Sequence, residues 1–380
     1  MDKPTIIVKG AYGQPNFGDD LLMLVLKNIL EKSFFDSKYK FLIPPLCNYI
    51  EDFLEPEHIL YNQGDNIEVD YLILGGGTQF YSFPDTKKNA RIAILRSILK
   101  NPLSLKLYLK KRKQASGIKI EAKKIIGVGL GIGPFEGKEA EIAKKNTIKT
   151  LSKMAFLMVR DTVSYRLAKQ NKINNNLILA NDLCFAPKAY LPFNVMESST
   201  NEKTKITFIL RDWGHSKNKV HIERTIAYIK GMLSANKADS YNVLLFAKDA
   251  DCKSLLEKNN IMYIQWSPKK YSIQDFINIM KSTDIIISSR YHGIVLSSLF
   301  NIPFIPIVVD PKLSIFAAAI SSKIHLWEYP FVPSDLHLAI EQTLLNKEGI
   351  LEDNIEKNNL YNNQLEEVIS KLKQFIYEEN

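Results

Sequence analysis

The chain has 380 residues, a length that favours two domains over a single core. It is 46% hydrophobic and 24% charged, as soluble globular proteins are, and no apolar run approaches the roughly 18 residues of a membrane span. The net charge is +9. The cysteines, at positions 47, 184 and 252, are too far apart for a disulfide framework or a CxxC metal site, so we predict a cytoplasmic protein without a tightly held metal or a cofactor.

In the first half of the chain, strands alternate with glycine-rich loops and helices. A strand is predicted at TIIVKG, a loop at GAYGQPNFGDD and a helix at LLMLVLKNILEKSF. The strand-then-glycine pattern returns at VDYLILGGGTQFYS and KKIIGVGLGIGPFEG. A short strand then runs into a helix at AFLMVRDTVSYRLAKQ, and one more buried strand is predicted at NLILANDLCF.

The positive charge is densest at residues 110–113, KKRK. The favoured interpretation is a solvated basic face. Contact with an anionic membrane surface, a nucleic acid or a phosphorylated substrate is the alternative. Leucines and a tyrosine precede this run, so we expect residues 106–124 to lie near a membrane surface.

A polar, proline-bearing segment without periodicity, residues 188–204, separates the two halves. After it, strands at KITFILRDW, YNVLLFAKD, TDIIISS and PFIPIVVD alternate with helices at HIERTIAYIKGMLSA, SIQDFINIMKS and GIVLSSLFN. We therefore predict an α/β protein of two doubly wound domains, residues 1–190 and 204–334, with ligands in the cleft between them. We expect C-terminal helices at 335–380 to pack back on the first domain.

The loop at residues 10–20 has two open interpretations. Its glycines allow close backbone approach, and Asp19 or Asp20 would open the following helix. Either aspartate can serve as a helix cap, or the helix N-terminus can face a ligand with Asn16 as a polar contact. The glycines do not form GxGxxG or a Walker A loop, so a dinucleotide or P-loop site is not indicated.

Two further glycine clusters follow predicted strands. Gly75, Gly76 and Gly77, followed by Thr78, favour a loop that lines a site over a simple tight turn. Residues 127–133 carry glycine at every second position. In a strand this alternation suits close packing as well as ligand access, and both interpretations stay open.

The most informative stretch is SSRYHG, residues 288–293, at the join between a predicted strand and a predicted helix. A helix N-terminus favours anions, Arg290 adds a planar fork for carboxylate or phosphate, and His292 can exchange a proton near neutral pH. A binding site is favoured over a surface arginine and a core histidine.

Other cations lie at similar junctions. Arg160 and Arg211 each end a strand and are followed by aspartate, so a local ion pair is the alternative at both positions. Lys312 follows the last strand. Cations at the ends of several strands predict a small, multiply charged anion in the cleft.

Several motifs in this order carry a family resemblance. They are Gly13, Asn16, Gly18, Asp19 and Asp20; Gly75 to Gly77; Arg160 to Ser164; Asn181 and Asp182; and Ser289 to Gly293, followed by Pro303 and Asp310 to Lys312. Over about residues 8–316 the chain resembles the polysaccharide pyruvyl transferase family. The resemblance implies two Rossmann-like domains arranged as in GT-B glycosyltransferases. It also implies transfer of a pyruvyl group from phosphoenolpyruvate to a sugar, as a cyclic ketal, with release of phosphate.

The resemblance associates Arg290, His292 and, less directly, Arg160 with the donor. Phosphoenolpyruvate carries a carboxylate and a phosphate, and Arg211 and Lys312 can complete the set of cations that such a donor needs. We expect His292 to manage a proton or steady the departing phosphate, and Asp19 to act on the acceptor hydroxyl. The remaining residues of the two loops are assigned to the loop region of the acceptor cleft: Asn16, Gly18, Asp20, Gly75, Gly76, Gly77 and Thr78.

Two alternative functions remain at this stage. A GT-B glycosyltransferase would release a nucleotide instead of phosphate, and a non-catalytic glycan-binding assembly protein would turn over neither donor. The expected partners are phosphoenolpyruvate and a lipid-linked sugar acceptor of polysaccharide or exopolysaccharide biosynthesis, with a peripheral contact at the inner face of the membrane. No nucleic-acid partner is expected.

Overall fold

The structure is a computed structural model that describes residues 3–34, 37–45, 47, 49–82, 117–173, 176–194, 204–213, 220–234 and 240–378. The basic run at 110–113, with most of the segment predicted to lie near a membrane, falls outside the described residues. Within them, no helix combines the length and the hydropathy that a membrane crossing requires. By their contacts the residues form two compact units, Met1–Gly13 with Phe34–Leu179, and Gln14–Ser33 with Ala180–Asn380.

Up to residue 179 the chain alternates strands with helices. The elements in chain order are β1 Thr5–Lys9, α1 Phe17–Ser33, β2 Lys38–Ile43, β3 Ile59–Tyr61, β4 Ile67–Ser82, β5 Ile120–Phe135, α2 Ala140–Leu151, β6 Met154–Val159, α3 Thr162–Gln170 and β7 Leu177–Leu179. In the described part of the first unit, seven parallel strands form one sheet in the order β3-β2-β1-β4-β5-β6-β7.

The rest of the chain follows the same plan. Its elements are β8 Lys205–Leu210, α4 His221–Ser234, β9 Ser240–Leu245, α5 Ala250–Lys258, β10 Ile264–Gln265, α6 Ile273–Lys281, β11 Ile285–Ser288, α7 Tyr291–Leu299, β12 Phe304–Pro306, α8 Pro311–Ile320, α9 Pro333–Leu345 and α10 Lys347–Glu378. Here the described strands form a parallel sheet of five in the order β10-β9-β8-β11-β12. The central strands are buried along their length, as strands covered by helices on both faces must be.

The predicted alternation is confirmed where the pattern was long. The short strands β2, β3 and β10 and the helices α5 and α8 were not predicted. In NLILANDLCF only Leu177–Leu179 is a strand, and the chain then turns at Asp182, whose carboxylate caps a short 3₁₀ helix, Leu183–Phe185. Gly75 to Gly77 lie inside β4 and not in a loop, because β4 continues to pair with β5 through them.

The two units differ from the predicted division of the chain. Helix α1 groups with the second unit, and so does the chain from Ala180 onward, ahead of the predicted linker at 188–204. The reason is packing: the buried turn at Leu183–Phe185 contacts α1, α7 and α10. The C-terminal helices α9 and α10 also group with this unit. Helix α10 contacts α1 and the turn at Leu183–Phe185, which both belong to residues 1–190, the part of the chain on which we expected the C-terminal helices to pack. Helix α10 buries one apolar face, Leu365, Val368, Ile369, Leu372 and Ile376.

Candidate functional site

The second sheet has its topological switch point between β8 and β11, the two neighbours from which the strand order runs in opposite directions. In open α/β sheets ligands bind beyond the carboxyl ends of the strands at this point. Arg211 directly follows β8, and Arg290 lies two residues beyond the end of β11. The sequence therefore places two cations at the position where the fold favours a ligand.

Arg290 is held by a carboxylate from the segment after β9, two strands away in the sheet. Its Nη2 lies 2.6 and 2.5 Å from the two oxygens of Asp249, which follows β9. Asp249 is itself buried and also accepts the backbone N–H of Asp212 at 2.9 Å. The Nε of Arg290 is buried and has no hydrogen-bond partner among the described residues. One edge of the guanidinium is therefore anchored by Asp249.

Arg211 carries a charge that its surroundings disfavour. Burial and, second to it, the charge of Arg290 lower the pKa of Arg211 to about 10, against the opposing effect of Asp310, Asp249 and Asp19. The guanidinium lies 4.7 Å from the ring centroid of Trp213, in cation–π contact. Its Nε is buried and has no hydrogen-bond partner in the part of the chain that the structure describes.

The local ion pair that was the alternative for Arg211 does not form. Asp212 instead accepts the backbone N–H groups of Cys252 at 2.7 Å and Asp251 at 3.1 Å, so it caps helix α5. Burial raises the pKa of Asp212. Asp212 therefore caps α5, and its carboxylate does not pair with the guanidinium of Arg211, the residue before it.

Lys312 is the second residue of α8, the helix that follows β12 in the chain. Its Nζ is 3.0 Å from Oδ2 of Asp310, an ion-pair distance, although the angle does not meet hydrogen-bond geometry. Asp310 is buried and caps α8 through the backbone N–H of Lys312. One edge of the second sheet therefore has the anion Asp249 after β9, the cations Arg211 and Arg290 after β8 and β11, and the pair Asp310 and Lys312 after β12.

His292 is the second residue of α7. Its Nε2 lies 3.6 Å from Oδ2 of Asp182 and has no hydrogen-bond partner among the described residues. The ring rests against Gly18, because a Cβ at that position would come within 2.1 Å of Nδ1. Position 18 therefore has to be glycine, because a side chain there would occupy the space of the His292 ring. Sequence spacing does not reveal this contact.

At the start of α1 the structure shows which side chains cap the helix, one of the two interpretations of residues 10–20. Asn16 caps the helix by accepting the N–H of Gly18 at 3.2 Å, and its amide donates to Asp19 at 2.6 Å. Asp20 is fully buried and accepts the indole N–H of Trp266 at 2.7 Å. Asp19 is partly exposed and acts electrostatically on Arg211. Of the two aspartates, Asp19 therefore faces the cations and Asp20 ties α1 to its own unit.

The remaining predicted residues lie in the first unit. Arg160, at the end of β6, is buried and donates to Thr78 Oγ1 at 2.7 Å. A Cβ at Gly131 would come within 2.9 Å of its Nε, so this member of the glycine alternation makes room for the arginine. Asp161 caps α3 by accepting the N–H of Ser164 at 2.7 Å instead of pairing with Arg160.

Gly75 to Gly77 form the bend of β4. Gly76 and Gly77 have positive φ values of 65° and 78°, a region that favours glycine. The carbonyl of Gly75 accepts the Tyr12 hydroxyl at 2.9 Å and the side-chain amide of Gln79 at 2.9 Å. The backbone at this bend is thus hydrogen-bonded within its own unit.

Sequence reasoning missed Asp249 and gave no role to Asp182. The signal for Asp249 was its place at the end of a strand, the same signal that identified Arg211. The sequence also predicted no metal site, yet ligand atoms of Asp182, Cys184 and His292 lie within 4.8 Å of one another, a spacing that can hold an ion.

Comparison with known proteins identifies the family. The family model described as polysaccharide pyruvyl transferase matches residues 16–311. No curated protein sequence matches the chain.

Solved structures show the fold. A putative UDP-N-acetylglucosamine 2-epimerase from Listeria monocytogenes is 11% identical with a TM-score of 0.61, covering 99% of this chain and 97% of that one. The S. aureus MnaA–UDP co-structure is 12% identical with a TM-score of 0.58, covering 98% and 97%. UDP-GlcNAc 2-epimerase from Methanocaldococcus jannaschii is 12% identical with a TM-score of 0.51, covering 90% and 92%.

At these identities the likeness concerns the fold alone, and it confirms an α/β protein of two Rossmann-like domains. The family model extends over more than half of the chain and includes Arg211, Arg290 and His292. The chain is a transferase that belongs to the polysaccharide pyruvyl transferase family.

Proposed function

We propose that the protein transfers the pyruvyl group of phosphoenolpyruvate to a sugar of a polysaccharide precursor, forming a ketal and releasing phosphate. One observation carries this proposal. Arg211 and Arg290 meet at the switch point of the second sheet, and each has a buried Nε without a hydrogen-bond partner among the described residues.

The charges at this edge suit a small dianionic or trianionic donor. A buried guanidinium edge without a partner costs free energy, and an anion that accepts its N–H groups removes that cost. Asp249 accepts hydrogen bonds from Nη2 of Arg290 and so fixes the orientation of the guanidinium group. Arg211 and Lys312 add two further positive charges for the carboxylate and the phosphate. From the family resemblance, Arg160 is proposed as a further donor contact.

The chemistry needs one proton at carbon and two removed from oxygen. We assign His292 to protonate the methylene carbon C3, and the C2=C3 electron pair forms the new C–H bond. A first sugar hydroxyl bonds to the oxocarbenium-like C2 and gives its proton to Asp19. The bond from C2 to the phosphate oxygen breaks, and phosphate leaves with the bonding pair.

A second hydroxyl then bonds to C2 and passes its proton to the phosphate. The products are the ketal, with a methyl group at C3, and hydrogen phosphate. The proton on Asp19 returns to His292 through solvent. Arg211 and Arg290 stabilise the charge that develops on the departing phosphate.

The acceptor is proposed to be lipid-linked, at a peripheral contact with the inner face of the membrane in the cytoplasm. Asp19 is favoured over Asp20 as the base, because Asp20 already accepts the indole N–H of Trp266 inside the unit. Of the residues expected in the acceptor cleft, Asn16 and Gly18 lie beside Asp19 at the start of α1 and are proposed for the acceptor side. Asp20 is fully buried and is left out of this proposal.

Phosphate release and product analysis test this function. Purified protein is incubated with phosphoenolpyruvate and a panel of lipid-linked and nitrophenyl sugars, and the ketal methyl group is followed by NMR. We expect phosphate and ketal in equal amounts with one class of sugar. Nucleotide release from sugar nucleotides, with no phosphate from phosphoenolpyruvate, would establish a glycosyltransferase instead. Glycan binding without turnover of either donor would establish an assembly protein.

A further inference from the structure

We propose that Asp182 positions His292 by holding a proton on Nε2, so that Nδ1 is the ring nitrogen that serves the donor. Oδ2 of Asp182 lies 3.6 Å from Nε2, and the Asp182 side chain is 1% exposed. The histidine side chain is 12% exposed. The inference rests on the proposed function only for the identity of the donor.

The distance of 3.6 Å is longer than a hydrogen bond. In proteins without a bound substrate, catalytic hydrogen bonds are often long and tighten only in the complex. A shift of about half an ångström closes this contact to ordinary hydrogen-bond length. Because Asp182 is buried and next to Nε2, it is the natural acceptor for a proton on that nitrogen.

Asp182 is itself held in place by the turn that it caps. Its Oδ1 accepts the backbone N–H of Cys184 at 3.2 Å, which leaves Oδ2 as the oxygen nearest the ring. Helix α10 braces both ends of the turn. Gln364 accepts from the amide of Asn181 at 2.7 Å, and Asn362 donates to the carbonyl of Phe185 at 3.3 Å. A positioning carboxylate needs such a rigid support.

Gly18 fixes the ring from the other side. A Cβ at position 18 would lie 2.1, 2.6 and 2.9 Å from Nδ1, Cγ and Cε1. The imidazole therefore packs directly on the backbone at the start of α1, and no residue larger than glycine leaves room for it. With Nε2 turned toward Asp182, Nδ1 is the nitrogen that remains for chemistry.

Other charged or titratable groups lie around this ring. They are Cys184 from the turn, and Arg290 and Tyr291 from the start of α7, with the Tyr291 ring centroid 5.6 Å from that of His292. Cys184 matters most, because with Asp182 and His292 it forms the trio that can hold an ion. A bound metal would take Nε2 as a ligand and exclude the positioning role.

The variant Asp182→Asn separates these roles. The amide oxygen can still accept the N–H of Cys184, so the amide NH₂ faces the ring and donates to Nε2, which moves the proton of the neutral ring to Nδ1. Nε2 then cannot hold a proton, and only a ring that is protonated on both nitrogens can give its Nδ1 proton to C3 and remain a neutral imidazole. Nitrogen NMR of the ligand-free protein reads the tautomer directly. We expect the proton on Nε2 in the native protein and on Nδ1 in Asp182→Asn. Turnover should fall by about 10²-fold, with KM for phosphoenolpyruvate within about twofold.

The matched control is Asp353→Asn. Asp353 lies in the same unit, accepts from Ser321 and pairs with Lys323 at 3.3 Å. It should change neither the tautomer nor turnover. Asp182→Glu, which keeps the charge, should restore part of the lost turnover.

Each remaining outcome has a defined meaning. An unchanged tautomer together with unchanged turnover in Asp182→Asn overturns the proposal. Stoichiometric zinc in the purified protein, lost together with activity in Cys184→Ala, also overturns it. If the native protein does not use phosphoenolpyruvate but the tautomer changes as expected, the proposed function fails and the positioning by Asp182 is supported.

Discussion

The two sheets have the same strand order around their switch points but different chemistry there. In the first unit, β1 and β4 are neighbours, and the bend of β4 is occupied by glycines whose carbonyls accept from Tyr12 and Gln79. In the second unit, β8 and β11 are neighbours, and Arg211 and Arg290 follow them. Topology marks the place for a ligand, and the residues at the strand ends decide which ligand it can be.

The difference also concerns stability. Hydrogen bonds that satisfy a backbone bend stabilise the folded chain, whereas a buried charge beside a like charge destabilises it, as Arg211 does beside Arg290. Substitutions at the first switch point should therefore affect stability and leave donor binding alone. Substitutions at the second should affect donor binding or turnover, and some should raise stability.

The largest effect is expected for His292→Ala. If His292 supplies the proton to the donor, turnover should fall by about 10²–10⁴-fold while phosphoenolpyruvate affinity changes little. Steady-state kinetics and donor binding by calorimetry measure the two quantities separately. His337→Ala, a partly exposed histidine of α9, is the control and should keep native turnover. Native turnover in a folded His292→Ala variant would contradict the assignment.

Arg290→Ala comes next in expected size. Losing a charge-assisted hydrogen bond to a buried anion costs about 1.5–3 kcal/mol, or roughly ten- to a hundredfold in donor affinity. Arg290→Lys should restore only part of this, because an ammonium cannot form the planar fork of a guanidinium. Arg224→Ala, on the exposed face of α4, is the matched control. Equal donor affinity in Arg290→Ala and Arg224→Ala would show that Arg290 is structural.

Arg211→Met should weaken donor binding by about tenfold and stabilise the ligand-free protein. The pKa of Arg211 in the folded protein is about 10, well below its ordinary value, so the folded protein disfavours the charged form. This cost is present in full below pH 10 and decreases as the pH rises above 10. Removing the charge should increase the free energy of unfolding by about 1–3 kcal/mol at neutral pH.

Thermal unfolding measures this gain, at about 2–4 °C in Tm per kcal/mol. Saturating phosphoenolpyruvate should raise the Tm of the native protein more than that of Arg211→Met. A variant that is less stable than the native protein without ligand would contradict the charge argument at the second switch point.

Local patterns made much of this site predictable. The join of a buried strand and a helix at SSRYHG is confirmed as the end of β11 and the start of α7. Arg211 was identified in the same way, because the sequence pattern shows where a buried strand ends and which residue follows it. The glycines at 75–77 were misjudged as a loop because positive φ values can occur within a strand that keeps its pairing.

Long-range contacts were not predictable from one sequence. Asp20 and Trp266 are 246 positions apart, and their hydrogen bond helps to group α1 with the second unit. The contacts of His292 with Gly18 and Asp182 are of the same kind. Such contacts depend on how the helices and strands pack in three dimensions. The periodicity of apolar residues in the sequence carries no information about that packing.

The smallest effect is expected for Tyr12→Phe, at the first switch point. The substitution removes the hydroxyl that donates to the carbonyl of Gly75 but keeps the ring, and Gln79 still donates to the same oxygen. The free energy of unfolding should therefore fall by about 0.5–1.5 kcal/mol, measured by urea denaturation. Phosphoenolpyruvate affinity should stay within about twofold of the native value, because the backbone at this bend makes its hydrogen bonds inside its own unit. A tenfold loss of donor affinity with native stability would reverse the comparison, since it would make the first switch point a donor site as well.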